Sequence, residues 1–263
     1  MIEAAIFGAL AQSALLVGAV LAWKFPRLKR PAIVGALMAF GAGAVISAIS
    51  IDLVSVSYEE AGTLPTAMGL AIGCAIYFLI ITFIERKGEQ EHSADGSEAP
   101  STSSGNDSEP QVHGATRKEA RNLTIGMVID GVPESIAVGL TLHTASVGVS
   151  AALVGSIFIA AIPEAIGIAA ALLAGGIVLG SVLLRFSFIV IIGAVFSAVG
   201  YSLLVGVSDS TQAIIQSIAA GALLVVVINE MIPIAVRSVK GWAGIYGAAG
   251  FVFSAILTWA SGG

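Results

Sequence analysis

The chain has 263 residues, 57% of them hydrophobic and only 11% charged, with a formal net charge of −5 and a mean hydropathy of +0.96. Soluble globular domains carry roughly 25% charged residues, so a water-soluble enzyme with an ordinary core is excluded and the chain reads as a polytopic membrane protein. No basic stripe with interleaved aromatics supports nucleic-acid binding, and the lone Cys74 excludes disulfide frameworks and cysteine metal sites.

A membrane span needs about 20 mainly apolar residues to cross a hydrocarbon layer of ~30 Å. On that measure, apolar runs separated by polar clusters predict an all-α bundle of eight transmembrane helices. They lie near 2–23, 32–54, 65–84, 122–142, 147–173, 187–206, 211–236 and 242–260. The first run is too long for a cleavable leader and lacks a basic start, so it reads as the first span. The stretch 174–185 is itself apolar and blurs the boundary between spans five and six, so hydropathy alone also accommodates seven or nine. The segment 88–116 is rich in Ser, Gly, Glu and Asp and should be a disordered linker, because it offers too little apolar surface to offset the entropy of ordering. His92 and His113 within it are solvated linker residues on this reading.

Charge placement gives the bundle a direction. Lys24, Arg27, Lys29 and Arg30 follow span one, and Arg86, Lys87, Arg117, Lys118 and Arg121 flank the long connection after span three. Arg185 precedes span six, while Arg237 and Lys240 follow span seven. With eight spans all twelve lie on one side, opposite Glu59, Glu60 and Asp209. Cytoplasmic loops are enriched in Lys and Arg, so both termini are expected outside a multi-pass plasma-membrane protein and the 88–116 loop inside.

Five carboxylates lie in or near these apolar helices. Span two ends with Asp52, span four contains Asp130-Gly-Val-Pro133-Glu134, span five has Pro163-Glu164, and span seven has Asn229-Glu230-Met-Ile-Pro233. An Asp at mid-span costs about 2.5–3.5 kcal/mol on insertion scales, so each acid needs a partner, a proton or a function. Asp130 and Glu134 are one turn apart on the same helix face. The neighbouring prolines each remove a helical N–H, which releases a carbonyl oxygen one turn earlier. Acids beside freed carbonyls make an oxygen-rich cation site, and no intramembrane Lys or Arg is present to neutralise them. The plainer alternative is protonated acids that hydrogen-bond between helices. Asp52, near a span end, fits either a pathway role or simple exposure to water. Gly41, Gly43, Gly139 and Gly221 read as packing residues that let helices approach closely, and His143 as an interfacial residue.

This pattern resembles the ZIP (zinc- and iron-regulated transporter-like) family of divalent-metal transporters. Eight spans, outward termini and a long polar loop between spans three and four fit that family. The family's His-Asn-x-Pro-Glu-Gly of span four falls on Asp130-Gly131-Val132-Pro133-Glu134-Ser135, its span-five His-x-x-Pro-Glu on Ala160 to Glu164, and its span-seven Glu-x-x-Pro on Glu230 to Pro233. Asp52 matches an acid at the end of span two in bacterial members. The resemblance implies a binuclear mid-membrane metal site, here divergent: Asp130 and Ala160 replace the histidines, Gly131 replaces the asparagine, and 186–206 lacks the usual acid.

The expected activity is therefore a permease that moves zinc, iron, manganese or cadmium inward past Asp130, Glu134, Glu164 and Glu230, with Asn229 and Asp52 beside them. Loss of both imidazoles shifts the expected preference away from zinc toward harder cations. No bound cofactor is expected, the metal being cargo, and the resemblance implies a homodimer in the lipid bilayer. The alternative is a proton-titrating or regulatory relative that has lost metal transport. An enzyme is not expected, because neither a His-Glu-x-x-His zinc motif nor a Gly-x-Ser-x-Gly nucleophile elbow occurs.

Overall fold

The structure, a computed structural model, describes residues 1–94, 117–144 and 147–262; the side chains of 84–94, 117–126, Asp130 and Glu230 are among those outside the description. Every regular element among the described residues is helical. Seven helices are long and apolar enough to cross a membrane: α1 (Ile2–Lys24), α2 (Pro31–Ala61), α3 (apolar over Thr63–Phe83), α5 (apolar over Leu153–Ala174), α6 (Leu179–Leu203), α7 (Asp209–Val239) and α8 (Trp242–Ala260). The remaining long helix, α4 (Arg117–Thr144), carries Asp130 and Glu134 and is less apolar. It packs against α1, α5, α6 and α7. The chain is thus an all-α membrane protein with seven candidate spans among the described residues.

Several boundaries differ from those expected: α2 runs on to Ala61, past the end expected at 54, and α4 starts at Arg117 and not at 122. Helix α6 starts at Leu179, where the sequence reading begins a span only at 187, so Arg185 lies within the helix instead of ahead of it. The break falls at Gly176, whose φ of 81° ends α5 in the left-handed region that glycine adopts without strain. Ile177 N–H then closes the cap on the Leu172 carbonyl at 3.1 Å. Hydropathy cannot register this break, because both flanks are apolar. Helix α3 runs on to Ala94, into the segment expected as linker; Glu89, Gln90 and Glu91 are good helix formers. The rest of that linker, 95–116, lies outside the described residues.

Glycine decides how closely the helices approach. A Cβ on Gly139 of α4 would overlap the carbonyl of Ser197 on α6, and one on Gly200 of α6 would overlap that of Ile136 on α4. The same reciprocity joins α2 to α8 through Gly43 and Gly250, and α3 to α7 through Gly73 and Gly221. Backbone carbonyls thus fill the space a side chain would need, and dispersion contacts replace the hydrophobic drive that lipid does not supply. The packing role expected of Gly43, Gly139 and Gly221 is what the structure has.

Charge divides between the two ends of the bundle. Gly35 at the start of α2 meets Ser238 at the end of α7, and Leu28, Val34, Ile177 and Leu183 join one apolar cluster. That end therefore gathers Lys24, Arg30, Arg185, Arg237 and Lys240. At the other end the close of α4 meets the close of α6, with the His143 ring edge-on to Tyr201 at 5.0 Å. Glu59, Glu60 and Asp209 lie there.

Candidate functional site

The acid-bearing helices converge. One apolar cluster contains Ile49 and Leu53 of α2, Ala137 of α4, Ala160 of α5, and Val227 and Met231 of α7. Each is a near neighbour in sequence of a candidate ligand: Leu53 of Asp52, Ala137 of Glu134, Ala160 of Glu164, and Met231 of Glu230. A Cβ on Gly41 would touch both the Ala160 backbone and the Met231 side chain, so α2, α5 and α7 meet with glycine-sized clearance. The packing thus brings together the four helices that carry Asp52, Glu134, Glu164 and Glu230, and Asp130 sits one turn before Glu134 on α4.

Glu134 is half-buried and tied to a helix that the sequence reading did not implicate. Gln12 of α1 is only 2% exposed, and its Nε2 donates to Glu134 Oε2 at 3.3 Å and to the Gly131 carbonyl at 3.5 Å. Ser135 Oγ donates to the same carbonyl at 2.7 Å. Glycine makes room for Gln12: a Cβ on Gly193 of α6 would stand 2.5 Å from its Cγ, and one on Gly131 would crowd its Nε2 at 3.3 Å. A polar residue in the first apolar run signals something, but sequence spacing alone does not say which acid it would reach.

Two of the acids lie in π turns. Residues Ile49–Ser55 of α2 and Val227–Met231 of α7 are wound as π-helix, a geometry that recurs at functional sites. In α2 the serines take part: Ser50 Oγ donates to the Ile46 carbonyl at 2.8 Å and Ser55 Oγ to the Ser50 carbonyl, five residues back, at 3.0 Å. In α7 Pro233 has no N–H to offer the Asn229 carbonyl, so the regular ladder cannot form at that point. The prolines of α4 and α5 act differently, since both helices continue through Pro133 and Pro163.

Asp52 is buried, 1% exposed, and not open to water at a span end. The Thr258 hydroxyl of α8 faces its carboxylate. Glu164 is half-buried, next to the buried Pro163, and Asn229 is exposed. Among the described residues no three His, Cys, Asp or Glu side chains come close enough to hold one ion. The backbones of Asp130 and Glu230 are placed on α4 and α7, and their side chains lie outside that count. No protein-family model matches the chain, and no curated protein matches it.

Proposed function

We propose that this chain is a divalent-cation permease of the cell membrane, with α4 as an eighth span and Asp130, Glu134, Glu164 and Glu230 lining the path. The observation that carries the reading is the convergence of four acid-bearing helices on one cluster, with Gln12 holding Glu134 from a fifth. Carboxylates on converging helices offer oxygen ligands to a hard cation, and Pro233 lacks the N–H that would hold the Asn229 carbonyl in a regular helix beside Glu230.

Orientation and selectivity follow from the same chemistry. The Lys- and Arg-bearing end faces the cytoplasm and both termini face out, as loop charge dictates. An all-oxygen donor set favours manganese-like cations over zinc. The ZIP resemblance supports this reading and adds a homodimer as the expected assembly.

Uptake by proteoliposomes across manganese, iron(II), zinc, cobalt and cadmium, with Glu134→Ala alongside, tests the proposal. Saturable uptake that the substitution abolishes is the expected result. No uptake of any metal, together with a metal-independent proton flux, would replace it with the proton-titrating reading.

A further inference from the structure

A second polar feature lies away from the mid-membrane acids, at the end of the bundle opposite the Lys and Arg residues. A pocket of about 310 Å³ opens there between α2, α4 and α7, lined by Glu60, His143, Asp209, Gln212 and Gln216 with Val56 and Ala213. Where the other cavities described are lined almost wholly by aliphatic and small residues, this one is walled by polar side chains. Its three helices are those that carry Asp52, Glu134 and Glu230. His143 stands nine residues beyond Glu134 on α4, about 13 Å along the axis at 1.5 Å per residue.

The lining has the chemistry of a cation site. Glu60 and Asp209 supply two carboxylates. His143 Nδ1 is buried with no hydrogen-bond partner among the described residues, while the ring packs edge-on against Tyr201. Gln212 spends its Nε2 on the Val207 carbonyl at 2.8 Å, which leaves its amide oxygen as the acceptor. Helices α2 and α4 end at this pocket and α7 begins there, so the partial charges of the helix ends oppose one another and the two carboxylates set the sign of the site. No cationic side chain is present at this end among the described residues.

We propose that this pocket is a binding site for a hydrated divalent cation. Glu60, His143 and Asp209 are too far apart to ligate one bare ion together. An ion that keeps its six first-shell waters occupies on the order of 180 Å³ at about 30 Å³ per water, which the cavity accommodates, and hard cations surrender water reluctantly. The pocket collects the ion with its water shell, through carboxylates and carboxamides that contact the shell. Its position at the outer head of a transport path rests on the permease reading; binding itself does not.

Manganese(II) titration of the purified full-length chain, followed by electron paramagnetic resonance, tests the site in a Glu134→Gln background. The expected result is a class of bound Mn²⁺ that persists in Glu134→Gln and weakens about tenfold or more when Glu60→Gln and Asp209→Asn are added, the scale on which focused charge acts. Glu59→Gln, exposed nearby and outside the lining, should leave it unchanged. The two pocket substitutions are isosteric and at exposed positions, so an unaltered elution profile accompanies them. Equal weakening by Glu59→Gln, or Mn²⁺ binding indifferent to Glu60 and Asp209, would overturn the proposal. Wild-type protein that takes up no metal while this binding persists would remove the permease reading alone.

Discussion

Gln12 and Glu134 stand 122 positions apart in the chain and are joined by a 3.3 Å hydrogen bond in the interior of the bundle. The donor is a neutral amide in the middle of a largely apolar helix, and the acceptor is the carboxylate expected to bind metal. Partners that orient a metal ligand typically contribute 10–100-fold to affinity. Gln12→Leu should therefore raise the half-saturating metal concentration for uptake by about tenfold or more. It also removes one hydrogen bond to Glu134, a loss on the order of 1 kcal/mol visible in thermal unfolding. Gln12→Asn, one methylene shorter, should show an intermediate loss of affinity.

Uptake should decline as pH falls. Carboxylates bind metal only when deprotonated, so protons compete directly for the site. The expected profile is a half-saturating concentration that rises on acidification, while the rate at saturating metal changes less. Glu134→Gln, which cannot ionise, should abolish saturable uptake across the whole pH range. A pH-independent half-saturating concentration in the wild type would count against carboxylate ligation.

The glycine contacts predict a sharp contrast between two alanine substitutions. Gly139→Ala drives a methyl group into the Ser197 carbonyl, and overpacking of this kind costs roughly 1–3 kcal/mol. Gly155→Ala in α5 meets nothing within 4 Å and should be neutral or stabilising, since alanine is the better helix former. Detergent-solubilised thermal stability of the two variants should move in opposite directions, or Gly139→Ala should fall while Gly155→Ala holds.

Cysteine labelling checks the orientation. In a Cys74→Ser background, Glu59→Cys should react with a membrane-impermeant maleimide applied from outside. Lys240→Cys should react only after the membrane is permeabilised. Both native side chains are exposed, so accessibility tracks sidedness and not burial. The reverse pattern would turn the bundle over.

Much of the helical plan was legible because the signal is long and compositional. Runs of about 20 apolar residues survive small errors in boundary placement, and α1 and α7 fall within a few residues of where the hydropathy puts them, while α2 overruns its expected end. The start of α6 was not legible, because Gly176 breaks the chain by backbone conformation inside uniformly apolar sequence. α4 shows the opposite limit: its acids and basic start mark it as functional and, by the same token, lower its apolarity. At the site, the acids themselves and their prolines were visible as residues out of place in lipid. Gln12 was not, since its partner is set by which helices pack together and not by spacing. The winding at Asp52 was hidden too, as it depends on serine hydroxyls taking up backbone carbonyls.

The winding of α2 also sets how the chain answers to a change in its length. In a regular α-helix each residue advances about 100° around the axis. Loss of one residue therefore swings everything beyond it by roughly that angle, far enough to turn Glu60 away from Asp209 and His143. Over Ile49–Ser55 the helix holds one residue more than α geometry requires. Deletion of a single residue there lets the turn close to α and leaves the flanking faces in phase. The core contacts of Met38 and Val45 before the turn and the pocket face after it are thus kept in register by a stretch that has slack to give.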